Sequence, residues 1–208
     1  MKSQRVECVD LSDRFASGRP FSDCYFDVAD VLLKGAGEDR PVVFLTQGNP
    51  LFLNSLNRFL ILKARERELV VQTLPGVSPL DTIISDLGLD VGNFGLQLFD
   101  ARRLVARGQQ VNTAVPLLVL QVGGFAAETV ASDADADDNA AYEALAGYLS
   151  QLYPPDHSVT LVNTGGGAQA GRSTVRLDRF SELVPHISVR SSLFVDALRQ
   201  RAAALRAD

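Results

Sequence analysis

A chain of 208 residues, 46% hydrophobic and 22% charged, has the balance of a globular protein long enough for one large domain or two small ones, which excludes disorder as the default state. Its formal charge of −5 and pI near 5.1 give no general pull toward nucleic acid or anionic lipid, whose binders carry basic patches. With only Cys8 and Cys24, one chain builds neither a disulfide framework nor a four-thiolate metal site. No apolar run approaches the roughly 20 residues that span a bilayer, and Met1 to Arg14 lacks a signal-peptide core, so a soluble cytoplasmic protein without membrane contact is expected.

From residue 42 the pattern alternates short apolar runs with helical ones. Val42–Leu45 reads as a buried strand, Ser55–Glu66 as a helix and Val70–Thr73 as a second strand. The helix rests on Leu56, Phe59, Leu60 and Lys63 at spacings of three and four, ahead of a charged last turn at Arg65-Glu66-Arg67. Strand, crossover helix and parallel strand imply a sheet covered by helices, with a ligand crevice at the carboxyl ends of the strands. Both strands run into turn chemistry, Thr46-Gln47-Gly48-Asn49-Pro50 and Leu74-Pro75-Gly76-Val77-Ser78, so the two loops are expected at one edge of the sheet. Asp81–Leu87 continues as a short helix that Ser78 is placed to cap, with Asp81 as the reciprocal carboxylate. Gly92-Asn93-Phe94-Gly95 then interrupts the pattern, and the boundary between an N-terminal lobe, 1–93, and a C-terminal lobe, 94–208, is placed there.

The second half offers strands at Leu96–Phe99, Pro116–Val122, Ser158–Asn163 and Ser173–Leu177, with helices over Ala101–Arg107, Asn139–Leu152 and Leu193–Ala204. The last two strands, split by the glycine run Gly165–Gly171, read as an antiparallel hairpin with a long mobile loop. Asp133, Asp135 and Asp137 alternate like the start of a calcium loop. Asp138 stands where that loop needs glycine and Ala144 where it needs a bidentate glutamate, so an acidic solvated linker is the reading. His157 and His186 have no metal-like neighbours in sequence and read as surface or packed residues; no metal site is expected.

Taken in order, Val43-Phe44-Leu45-Thr46-Gln47-Gly48-Asn49-Pro50-Leu51-Phe52, Leu74-Pro75-Gly76-Val77-Ser78, Asp86-Leu87-Gly88, Leu96-Gln97-Leu98-Phe99-Asp100-Ala101, Leu118-Val119-Leu120-Gln121-Val122-Gly123 and Tyr153-Pro154-Pro155-Asp156-His157 resemble the tetrapyrrole-methylase family. The likeness runs from roughly residue 20 to residue 195. It implies an α/β, two-lobed fold, each lobe a mixed sheet flanked by helices, with S-adenosylmethionine as cofactor in the cleft between lobes. By resemblance, Gln47, Gly48, Asn49, Phe52 and Ser78 bind the cofactor from one lobe and Gln121, Val122 and Gly123 from the other. The family usually writes Gly-Asp-Pro where this chain has Gly48-Asn49-Pro50, which keeps the turn and loses the charge.

Within the family the chain is most similar to a subgroup that includes peptide-backbone N-methyltransferases. Those enzymes place a tyrosine and an arginine ahead of a second tyrosine that opens a helix. Tyr25 matches the second tyrosine, Phe15 and Phe21 occupy the other two positions, and Arg19 substitutes if the loop is displaced by two residues. Family members also begin with a strand and glycine-rich loop that have no counterpart ahead of Ser22–Leu33. A chain shortened at its start, or completed by a partner, is therefore expected.

The resemblance implies methyl transfer to a small-molecule or peptide acceptor in a homodimer, with Tyr25 and Arg19 contacting the acceptor. Because the sulfonium is already a reactive electrophile, positioning supplies much of the rate and no catalytic triad is needed. A tetrapyrrole, a peptide and an unrelated metabolite all stay open as acceptors. The alternative is a non-catalytic binding or scaffold module that retains the fold. A generic nucleotide enzyme ranks last, since it requires a glycine-rich strand-to-helix turn.

Overall fold

The computed structural model describes residues 7–37, 40–124, 130, 139–164 and 171–198. Two compact units divide the chain: Met1–Ser78 with Ala127–Asp135, and Pro79–Ala126 with Ala136–Asp208.

In the first unit, helix α1 spans Phe21–Gly35 and helix α2 spans Ser55–Glu66. Pro20, with no N–H to lose, precedes α1, and Asp23 in the first turn and Lys34 in the last complement the helix dipole. Cys24, Val28, Ala29 and Leu33 form its buried stripe. Asn54 caps α2, its carboxamide oxygen accepting from the Asn57 N–H at 3.0 Å, an interaction worth about 1 kcal/mol. Ala29, Leu33 and Ala64 meet between the helices with Phe59, Leu60 and Leu69 around them, and Phe26 stands edge-on to Phe59 at 4.9 Å.

The strands expected here at Val42–Leu45 and Val70–Thr73 do not form. Both segments run without turn, bend or ladder, and among the described residues the first unit has no sheet. Val43 is 78% and Val70 100% exposed, so neither segment is buried. Apolar, β-branched composition favours a strand only when a neighbour supplies hydrogen bonds and cross-strand contacts, and no described neighbour does.

The second unit contains helices α3 at Pro79–Leu87, α4 at Val91–Phe94, α5 at Ala101–Ala106 and α6 at Asn139–Ser150. Its strands are β1 at Gln97–Asp100, β2 at Leu117–Leu120, β3 at Ser158–Asn163, β4 at Gly171–Arg176 and β5 at Ser191–Val195. They form one mixed sheet in the order β1-β2-β5-β3-β4, in which β1 and β2 are parallel and the other pairs antiparallel. β2 is buried along its whole length. Its face packs with Leu104 of α5 and with Leu145 and Leu149 of α6 in one continuous core.

The expected hairpin is present as β3 and β4; residues 165–170 between them lie outside the described residues, as do Asp133, Asp135, Asp137 and Asp138. The helix expected over Leu193–Ala204 is overturned at its start, where Leu193–Val195 belongs to β5 and fills the space between β2 and β3. Leu193 and Val195 reach the core from one face, a period-two arrangement that a helical reading misses.

Candidate active site

In the first unit, the two loops that follow Val42–Leu45 and Val70–Thr73 lie side by side. A Cβ added at Gly76 would stand 2.6 Å from the Gly48 carbonyl oxygen, so only glycine admits this approach. Gly48 itself has φ +78°, a conformation that other residues adopt at a cost. Asn49 folds the turn onward: its side-chain oxygen accepts from the Leu51 N–H at 3.0 Å and its carbonyl from the Phe52 N–H at 3.1 Å. Gln47 is exposed, Phe52 half-buried, and Ser78 buried immediately ahead of α3.

Tyr25, on α1, opens onto a cavity of about 260 Å³ lined also by Phe15, Phe44, Thr46, Leu53 and Asn54. Phe15 and Phe21, at the positions where the resemblance expected a tyrosine and an arginine, set their rings 6.5 Å and 6.0 Å from Tyr25. Burial pushes the Tyr25 hydroxyl above its ordinary value, with the neighbouring Cys24 adding to the shift, so the phenol stays neutral and able to donate at physiological pH.

Side-chain hydrogen bonds tie the cavity wall to the start of α2. Asn54 donates to the Thr46 hydroxyl at 3.1 Å while capping α2, and Asn57 donates to the Pro50 carbonyl at 2.9 Å. Between these anchors Leu53 is held at φ +53°, a strained backbone for leucine. Among the described residues, no charged side chain lines the cavity.

Arg19 is not among the cavity residues. Its guanidinium pairs with Asp27 at 2.8 Å and donates to the Arg14 carbonyl at 2.9 Å. Its hydrogen bond to the Asp27 carboxylate raises its pKa further, so it is a fixed cation. Phe44, Thr46, Leu53 and Asn54 were absent from the residues singled out by sequence. Only Asn54 had a readable signal, as a cap ahead of a helical run.

In the second unit, β2 ends at Leu120, Gln121 follows with φ +57°, and the chain turns into a 3₁₀ segment over Val122–Gly124. Val122 is fully buried, and a Cβ at Gly123 would fall 1.9 Å from the Ser188 carbonyl oxygen. Gln121 is thereby left exposed at the carboxyl end of a parallel strand, the place where open α/β sheets bind ligands. His157 is packed, stacked on Tyr153 at 4.9 Å with Nε2 2.9 Å from the Asp196 carbonyl, and His186 is exposed. Another cavity, of about 370 Å³, adjoins Tyr142, Phe180 and Val184 and contains none of the expected site residues.

A family model described as tetrapyrrole (corrin/porphyrin) methylases matches residues 8–177. The methyltransferase/ribosomally synthesized cyclic peptide dendrothelin A precursor of Dendrothele bispora is 32% identical over 160 residues, covering 76% of this chain and 37% of that protein. The corresponding gymnopeptides precursor of Gymnopus fusipes is 30% identical over 160 residues, again covering 76% of this chain and 37% of that protein. The type III borosin cyclic peptide precursor of Anomoporia bombycina is 28% identical over 180 residues, covering 86% and 20%. The chain thus spans little more than a third of these curated relatives, or less.

Among solved structures, uroporphyrin-III-C-methyltransferase from Thermus thermophilus matches with a TM-score of 0.60 at 18% identity, over 82% of this chain and 70% of that one. A form of that enzyme complexed with S-adenosylhomocysteine matches with a TM-score of 0.53 at 18% identity, over 82% and 72%. These structural likenesses carry the fold.

Proposed function

The chain belongs to the tetrapyrrole (corrin/porphyrin) methylases, and from that premise we propose that it transfers a methyl group from S-adenosylmethionine to a peptide acceptor. The observation that carries the reading is the pair of loops joined at Gly48 and Gly76 beside the uncharged Tyr25 cavity. A Cβ at Gly76 would block this approach of the two main chains, which brings the Gly48-Asn49 turn against the loop that leads to Ser78. The family resemblance assigns the cofactor to Gln47, Gly48, Asn49, Phe52 and Ser78, and to Gln121, Val122 and Gly123. S-adenosylmethionine, when bound, supplies an electrophilic methyl group on a sulfonium.

The chain's own residues orient the acceptor and exclude water. Tyr25, kept protonated by burial, donates a hydrogen bond to it, and Arg19, fixed by Asp27, holds the segment leading into α1. The acceptor is assigned to the peptide class because the relatives' names join a methyltransferase to a cyclic peptide precursor. Size agrees, since about 260 Å³ is below the roughly 300–1,000 Å³ of pockets that enclose a whole drug-sized ligand and suits one side chain with its flanking amides. The functional lobes are taken as 1–93 and 94–208 and the working form as a cytoplasmic homodimer. Among the described residues no helix is long and apolar enough to cross a membrane.

A second reading, a binding module that keeps the fold without catalysis, draws on the unpaired segments Val42–Leu45 and Val70–Thr73. Calorimetry with S-adenosylmethionine and S-adenosylhomocysteine separates the two. Saturable binding that Asn49→Ala and Gln121→Ala each weaken supports the methyltransferase. Its absence from a chain with native circular dichroism favours the module.

A further inference from the structure

β5 opens with a serine that is only 1% exposed, in a sheet whose interior is otherwise apolar. A hydroxyl withdrawn from water needs partners, and Ser191 has them. It donates to the side-chain oxygen of Asn163, at the end of β3, and accepts from the Ser188 N–H at 2.7 Å. Asn163 in turn donates its side-chain N–H to the His186 carbonyl at 3.2 Å. Thr164, the next residue, gives its main-chain N–H and its hydroxyl to the Arg190 carbonyl at 3.4 and 3.3 Å. The loop over 186–191 is thereby tied to the end of β3. What the loop presents is the Ser188 carbonyl, which accepts from the Ser191 N–H at 2.9 Å and which a Cβ at Gly123 would meet at 1.9 Å. The Val122–Gly124 turn thus lies directly against it, closed by the Gly124 N–H on the Gln121 carbonyl at 3.1 Å.

We propose that Ser191 and Asn163 are positioning residues for the cofactor wall at Gln121–Gly123, which they hold through the main chain of Ser188; this rests on the cofactor reading above. Register puts them in place. β2 pairs Val119 with Leu193, so two residues further on Ser191 comes beside Gln121, and β3 pairs Asn163 with Ser191 on the other side. Packing alone asks only for a small apolar side chain at 191. A satisfied buried hydrogen bond adds little net stability, because the unfolded chain makes the same bonds to water, but it fixes direction. Without the Ser191 hydroxyl the Ser188 N–H loses its acceptor and the loop is free to move back from Gly123. Gln121, held at φ +57° where residues other than glycine are uncommon, then loses the contact that braces its turn.

The test compares Ser191→Ala, Asn163→Ala and the double variant in the full chain, after native circular dichroism is checked for each. S-adenosylhomocysteine affinity is read by calorimetry, and exchange of the Gly124 amide by NMR on the chain alone. Each alanine should weaken S-adenosylhomocysteine about tenfold and speed Gly124 exchange about tenfold. Because both side chains act on one turn, the double variant should bind within about twofold of the weaker single variant. Leu145→Val removes core packing and none of these hydrogen bonds, and should leave affinity within about twofold of the parent chain. A loss that Leu145→Val shares, losses that multiply in the double variant, or unchanged Gly124 exchange overturns the proposal. Unchanged affinity in both alanine variants of a chain that binds overturns it as well and leaves the cofactor reading standing. A folded parent chain that binds no S-adenosylhomocysteine sinks the cofactor reading instead, and Gly124 exchange alone then decides whether Ser191 and Asn163 hold the turn.

Discussion

Leu117–Leu120 and Val42–Leu45 are both short, apolar and free of charge, yet the first is a strand buried on both faces between β1 and β5 while the second is exposed and unbonded. The difference lies in what surrounds them. Around β2 a parallel partner, an antiparallel partner and two helices arrive together, so hydrogen bonds and apolar burial reinforce one another. Around Val42–Leu45 the helices α1 and α2 pack on each other instead, and Phe44 lines the Tyr25 cavity. The second unit therefore concentrates stability, and the first holds the larger share of the proposed chemistry on loops.

The sharpest way to break this contrast is Leu145→Ala. Leu145 is fully buried on α6, and truncation should cost about 2–5 kcal/mol in urea unfolding of the second unit. A loss below 1 kcal/mol would show that the sheet core is not where stability resides. Gly76→Ala sets a Cβ 2.6 Å from the Gly48 carbonyl oxygen, and forcing the loops apart should cost about 1–3 kcal/mol and weaken S-adenosylhomocysteine at least tenfold by calorimetry. Unchanged affinity would remove these loops from the cofactor site.

Tyr153 sharpens the comparison through pH. Its hydroxyl is buried with no hydrogen-bond partner among the described residues, and burial pushes its pKa up to about 12 from an ordinary 10.0. A group that titrates higher in the folded than in the unfolded state keeps its stabilisation below the unfolded value and loses it as pH rises toward the folded one. The second unit should therefore lose on the order of 2 kcal/mol between about pH 10 and 12. Tyr153→Phe should abolish that loss and raise stability at neutral pH by about 1 kcal/mol, read by thermal melts across the range. The smallest effect is expected from Asn54→Ala, which removes the α2 cap and the Thr46 contact for about 1 kcal/mol. Peptide binding should fall with it if the cavity floor matters to the acceptor.

Several elements were legible because they are local. Asn54 and the spacing from Leu56 to Lys63 specify α2 with its observed bounds, and alternation over Ser158–Asn163 specifies β3. The family likeness was legible in the order of loop motifs, and the side-by-side placement of the Gly48 and Gly76 loops was anticipated. The cavity was less so. Phe44 looked like an interior strand residue and Thr46 like the start of a turn, and Leu53 gave no sign of its positive φ, which sits between hydrogen bonds from Asn54 and Asn57 to partners eight and seven residues away. Arg19 was read as an acceptor contact from the resemblance, and its pairing with Asp27 and the Arg14 carbonyl was not legible in the sequence.

Composition, turn residues and helical spacing determined by themselves that this is an α/β chain with glycine-bearing loops in a fixed order, because those signals depend on neighbours a few residues away. Which apolar runs become strands was decided only in three dimensions. Leu193–Val195 became β5 because β2 and β3 left a gap that its backbone completes, and Val42–Leu45 stayed unpaired because no described strand reaches it. A strand's hydrogen bonds are made with chain that is distant in sequence, and no local pattern encodes the presence of that partner.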